Sequence, residues 1–162
     1  MNKNKRIKIN IATQRMKLIE NNEIVLEYSI STSRFGIGNK VGSCKTPLGL
    51  HKICEKIGKG APVGSIFKAR KNTGEIAKLD SENPYGDDLI TTRIIRLNGL
   101  QDGVNKGDGI DSYKRYIWIH GTAEENRIGK PASHGCIRMR NDDIVELFDN
   151  VRVGTEVEII KE

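Results

Sequence analysis

The run Tyr116-Ile117-Trp118-Ile119-His120-Gly121-Thr122 is followed, after a polar connection, by Ser133-His134-Gly135-Cys136-Ile137-Arg138-Met139. The first half alternates, and a strand is expected from Tyr113 to His120 with Tyr116, Trp118 and His120 on one face. His120 comes last before Gly121, so it should project at a strand end. In the second half a glycine adjoins a cysteine, and a helix begins a few residues on. Acyl transfer needs a nucleophile, a base within hydrogen-bond reach and donors for the developing oxyanion. Cys136 is suited to the first, either His120 or His134 to the second, and the backbone amides around Gly135 and Cys136 to the third. Glycine lets the chain take an unusual conformation close to a ligand. An imidazole beside a thiol would also raise its thiolate fraction.

Three blander readings compete. Free cysteine is among the most buried residue types, so Cys136 alone would read as a packing thiol. Two of only three histidines lie near it, which argues against that. Zinc bound by His120, His134 and Cys136 lacks the paired short ligand spacings and an obvious fourth ligand, so no metal or other cofactor is expected. Ser133 lacks a nucleophile-elbow context and is expected to support the loop by hydrogen bonding.

Working outward, the remainder reads as strands. Ile7, Ile9 and Ile11 have period two. Met16 to Ile19 and Ile24 to Ile30 flank Asn21-Asn22, a pair that tolerates positive φ, and predict a hairpin with Leu26, Tyr28 and Ile30 on one face. Residues 31–49 carry turn chemistry and close on Thr46-Pro47-Leu48-Gly49. Residues 56–88 read as a long irregular loop with Gly58, Gly60, Pro62, Gly64, Gly74, Pro84 and Gly86, either a lid or a surface insertion. Thr92 to Leu97 predicts another strand. Asp142 to Phe148 predicts one helix, N-capped by Asn141 and apolar at Ile144, Val145 and Phe148. Val157 and Ile159 alternate with Glu156 and Glu158 in a last strand. The whole is expected to be one β-rich domain spanning 1–162, with one helix.

The chain of 162 residues can bury a core without disulfides. Its net charge of +6 is scattered, densest at Asn2 to Arg6, and fits a soluble protein with many surface lysines. Among the three cysteines an odd thiol remains in a monomer, and Cys44 and Cys54 either pair or stay free. No apolar signal segment or membrane-length run is present, so the expected compartment is the cytoplasm, or the periplasm or exterior if a native signal precedes this sequence.

Ile119-His120-Gly121-Thr122 with Ser133-His134-Gly135-Cys136-Ile137-Arg138-Met139 closely resembles the active-site signature of the L,D-transpeptidase (YkuD-like) family. Thr46-Pro47-Leu48-Gly49 resembles that family's Thr-Pro-x-Gly turn, and Gly154-Thr155-Glu156-Val157 its closing strand. The resemblance implies a mainly β fold of two packed mixed sheets with a helix after the cysteine. It implies Cys136 as nucleophile, His120 as base and a Gly121 carbonyl that orients the imidazole. His134, Gly135 and Cys136 would form the oxyanion loop, supported by Ser133. Arg138 would bind a substrate carboxylate, or else ion-pair with an acidic residue of the Asp142 helix.

The substrate implied is a peptidoglycan stem tetrapeptide, cleaved between its third residue and the terminal D-alanine. Carbapenems are implied as covalent ligands of the thiol. Residues 112–125 resemble signal-less members that look like cytosolic trimming enzymes, so water is the expected acceptor: L,D-carboxypeptidase action on recycled muropeptides. L,D-transpeptidation, by crosslinking or D-amino-acid exchange, is the alternative. A basic non-enzymatic domain for nucleic acid or glycan is the reading of another class. The lack of clustered aromatics weighs against a nucleic-acid partner, and no membrane partner is expected.

Overall fold

The computed structural model describes residues 4–79 and 88–162. Its strands are β1 (Lys5–Asn10), β2 (Arg15–Glu20), β3 (Glu23–Ser31), β4 (Gly49–Ile57), β5 (Ser65–Lys68), β6 (Lys71–Ile76), β7 (Ile90–Gly99), β8 (Trp118–Gly121), β9 (Ile137–Met139) and β10 (Glu156–Ile160). One α-helix, α1 (Asn141–Asn150), follows β9. The strands lie in the order β4-β10-β1-β2-β3-β9-β8-β7-β5-β6, and β4 also pairs with β7. The run from β4 to β7 therefore closes on itself, with β5 and β6 as an extension. The β1–β10 and β8–β9 pairs are parallel, so the sheet is mixed. The mainly β architecture with one helix behind the cysteine is as the family resemblance implies, and its strands join in one hydrogen-bonded sheet.

Alternation builds the core. Ile7 and Ile9 of β1, Met16 and Leu18 of β2, Ile119 of β8, Ile137 and Met139 of β9, and Val157 and Ile159 of β10 all point into one cluster. Ile144, Leu147 and Phe148 of α1 close it. Each fully buried side chain of this size contributes about 1.5–3 kcal/mol relative to exposure. The hairpin between β2 and β3 turns on Asn21 and Asn22, both left-handed (φ 52° and 66°), a mirror-image turn whose twist matches its strands.

Three expectations change. First, the segment before β8 is a turn, and the strand starts only at Trp118. Arg115 N–H donates to Asp111 O at 2.9 Å and Ile117 N–H to Ser112 O at 3.1 Å, while Tyr116 is left-handed (φ 57°). Tyr116 is thus exposed, outside the buried face of Trp118 and His120, although its ring meets the Trp118 ring at 5.6 Å. Second, residues 56–79 hold the β5–β6 hairpin, whose turn places Ala69 and Arg70 at φ 50° and 67°; Pro84 and Gly86 lie outside the described residues. Third, Asn141 is the first buried residue of α1 rather than its cap. The cap comes from elsewhere: Glu125 Oε2 accepts the Asn141 N–H at 2.7 Å, a carboxylate at the positive end of the helix.

Candidate active site

The parallel β8–β9 pair sets the site. Ile119 faces Ile137 and His120 faces Arg138 in register. The isoleucines turn into the core, so the alternate residues Trp118, His120, Cys136 and Arg138 share the opposite face. Cys136 packs there against a small apolar cluster of Phe67, Ile94 and Trp118. Its thiol donates to Tyr116 O at 3.2 Å, and Trp118 N–H donates to its sulfur at 3.4 Å. The turn before β8 thus delivers a carbonyl to the thiol, which a continuous strand would not.

His120 is buried, and its Nδ1 lies 2.5 Å from Gly121 O. With Nδ1 donating, Nε2 is the ring's basic nitrogen. Burial pushes the His120 imidazole down from its ordinary range, Arg138 adds to this, and Asp88 and the Gly121 bond oppose it. Burial pushes the Cys136 thiol up to about 12, with Asp88 adding to it and the Trp118 amide, Arg138 and Arg115 opposing. Burial thus favours the neutral form of both the thiol and the imidazole, against the ion pair that a lone neighbouring imidazole would suggest.

Asn141 ties down the strand end that follows the base. Its Oδ1 accepts from Thr91 Oγ1 at 2.6 Å and from Thr92 Oγ1, and its Nδ2 donates to Thr122 O at 2.8 Å. Gly121 passes beneath it so closely that a Cβ would stand 2.6 Å from Asn141 Oδ1 and 2.7 Å from Thr91 O. Glycine is the residue that fits there.

The nucleophile loop is held from both sides. Ser133, buried, donates through Oγ to Cys136 O at 2.6 Å and accepts the Gly135 N–H at 3.2 Å. Its hydroxyl is thus committed to the loop. The Gly135 amide is engaged as well, which leaves the oxyanion role expected of this loop to its other donors in the resting state. Gly135 itself has a positive φ (126°), a conformation that side-chain-bearing residues rarely adopt. Thr46 of the Thr-Pro turn donates to Gly135 O at 3.0 Å and accepts the Ser33 N–H at 2.9 Å.

His134 turns elsewhere. Its Nε2 stands 2.6 Å from Arg34 Nη2 and its Nδ1 3.5 Å from Asp88 Oδ2. It is therefore His120 that shares a strand face with the thiol. Among the described residues no group of His, Cys, Asp and Glu is arranged to hold a metal ion. All three cysteines are free thiols, Cys44 exposed.

Arg138 is buried beneath this face. Asp88 Oδ1 accepts from its Nε at 2.9 Å and its Nη2 at 2.8 Å, and Glu124 Oε1 accepts from its Nη1 at 3.1 Å. The acidic partners come from loops, not from α1. Burial alone would raise the Asp88 carboxyl, but His120 and Arg138 outweigh it and hold it below its usual range. Arg115 donates to Lys45 O at 2.6 Å and to Gly38 O at 3.3 Å, fastening the 38–45 loop near the thiol. Sequence reasoning missed Asp88, Arg115, Arg34 and the bonds of Asn141 to Thr91, Thr92 and Thr122. Glu124 and Arg115 carried a signal, both lying within the 112–125 run.

Residues 4–159 match the YkuD model of the L,D-transpeptidase catalytic domain, and the chain belongs to that family. It is 50% identical over 89 residues to the putative L,D-transpeptidase YkuD of Bacillus subtilis, covering 52% of this chain and 49% of that protein. It is 61% identical over 46 residues to the probable L,D-transpeptidase ErfK/SrfK of Escherichia coli K12, covering 28% of this chain and 15% of that one. The matches thus span half or less of these relatives' own length. In structure it resembles the L,D-transpeptidase LdtMt1 in complex with imipenem, with a TM-score of 0.59 at 17% identity, covering 97% of this chain and 59% of that one.

Proposed function

We propose that the chain catalyses cysteine-dependent acyl transfer on peptidoglycan stem tetrapeptides, cleaving between the third residue and the terminal D-alanine, with water as the favoured acceptor. The observation that carries this is the placement of Cys136 and His120 on one face of a parallel strand pair, with Nδ1 tied to Gly121 O. In the reaction sulfur attacks the scissile carbonyl as the thiol proton leaves Tyr116 O for His120 Nε2. The C–N bond then breaks, and the imidazolium returns the proton to the departing D-alanine amine. Water, deprotonated by the same nitrogen, then attacks the thioester carbonyl; the C–S bond breaks, the imidazolium returns its proton to the sulfur, and the tripeptide leaves as a carboxylate. A neutral resting thiol suits this order, because charge forms only once substrate is in place. For Arg138 to bind substrate as well, a donor carboxylate must displace Asp88 or Glu124.

The choice of water follows the likeness of residues 112–125 to trimming members. Soluble muropeptides are then the substrate and the cytosol the proposed compartment. An amine acceptor gives the second reading, L,D-transpeptidation, which the family membership supports. Carbapenems are proposed as covalent ligands of Cys136. The test is incubation with a purified disaccharide-tetrapeptide and mass spectrometry of the products. Tripeptide and free D-alanine, both lost in Cys136→Ala, are expected. Crosslinked dimer or exchanged D-amino acid would move the assignment to the second reading, and D-alanine release by Cys136→Ala would sink the mechanism.

A further inference from the structure

Three guanidiniums surround the nucleophile loop, and they differ in how they are engaged. Arg138 is buried between the carboxylates of Asp88 and Glu124. Arg115 is half-buried and spends its donors on backbone carbonyls of the neighbouring loop. Arg34 is exposed, and among the described residues no carboxylate pairs with it. Its position is nonetheless built. Its backbone N–H donates to Ser133 O at 3.0 Å, which ties it to the loop that carries Cys136. Its guanidinium lies 5.4 Å from the Phe35 ring centroid, and its Nη2 lies 2.6 Å from His134 Nε2. The same Nη2 lies 3.5 Å from His134 Nδ1, which is itself 3.5 Å from Asp88 Oδ2, so Arg34, His134 and Asp88 form one contact chain.

A guanidinium held in this way on an exposed residue presents a planar fork to an incoming carboxylate. Its orientation is largely set before binding, which lowers the ordering cost of the contact. Stem peptides offer such groups at the terminal D-alanine and, where the third residue is a diamino diacid, on its side chain. We propose that Arg34 binds a carboxylate of the donor stem peptide and holds it for attack by Cys136. This rests on the peptidoglycan reading above. It places the recognition of substrate charge on Arg34, in the loop after β3, where the sequence pointed to Arg138.

The test separates binding from turnover. Calorimetry on Cys136→Ala uses three tetrapeptides containing diaminopimelate at the third position: the free acid, its C-terminal amide, and its third-residue side-chain amide. One amide is expected to bind about ten- to a hundredfold more weakly than the free acid, as for loss of a charge-assisted bond. Adding Arg34→Gln should weaken the free acid to that level and leave that same amide unchanged, which identifies the carboxylate Arg34 holds. Arg34→Lys should restore only part of the gap. An equal loss on all three peptides, no loss on any, or no binding by any would overturn the assignment. D-alanine release by the wild-type enzyme tests the peptidoglycan reading independently, so the two can fail separately.

Discussion

Alkylation of Cys136 by iodoacetamide reports the charge state of the resting site. In a Cys44→Ser, Cys54→Ser background the remaining thiol is the one that burial pushes up to about 12. At about pH 7.5 such a thiol is ionised in roughly 3 molecules per 100,000, about a thousandfold less than at its usual 9.0. A more basic thiolate is a better nucleophile, which returns about twentyfold. The net expectation is alkylation about fiftyfold slower than that of an ordinary thiol. His120 gives no relief, because burial drives its imidazole towards the neutral form and no imidazolium stands by to trap the thiolate. Rates read by intact mass spectrometry from about pH 6 to 10 should rise about tenfold per pH unit without a plateau. A plateau beginning below about pH 8 would mean a resting thiolate–imidazolium pair and would refute this account of the site.

Buried His51, which bonds Ser112 Oγ at 2.8 Å, is pushed down to about 4 by burial. The unfolded chain then binds the extra proton first, so its contribution of about 3 kcal/mol is present above the ordinary histidine range and drains away as pH falls towards 4. Urea titrations should show that slope in the wild type and a flatter one in His51→Gln. Arg138→Ala strands the Asp88 and Glu124 carboxylates, with an expected loss of about 3–5 kcal/mol in urea unfolding; wild-type stability would contradict the ion-pair geometry. Imipenem should add one drug mass to the wild type and none to Cys136→Ala, and an adduct that persists in the variant would place the reactive group elsewhere.

Local alternation carried much of the fold. Ile7 and Ile9, the hairpin about Asn21-Asn22, and Val157 and Ile159 all stand where period two puts them, because in a half-buried strand the side-chain period is a property of the backbone. The glycines of residues 56–79 concealed β5 and β6, since those short strands owe their pairing to β7 rather than to their own pattern. Residues 113–116 misled in the opposite sense. Their aromatic content suits a strand, but Asp111, whose carboxylate accepts the Gly107 and Lys114 amides, curls the chain first.

Within the site, the sequence by itself determined which residues are the candidates for the chemistry: a histidine at a strand end and a glycine before a cysteine. Side-chain identity and local period suffice for that. The tertiary structure decided their electrical state and their partners. Asp88 reaches Arg138 across fifty positions, Glu125 reaches Asn141 from outside the helix, and burial sets the thiol and imidazole in opposite directions. Desolvation and long-range ion pairing depend on what the folded chain brings around a group, and no local pattern encodes that.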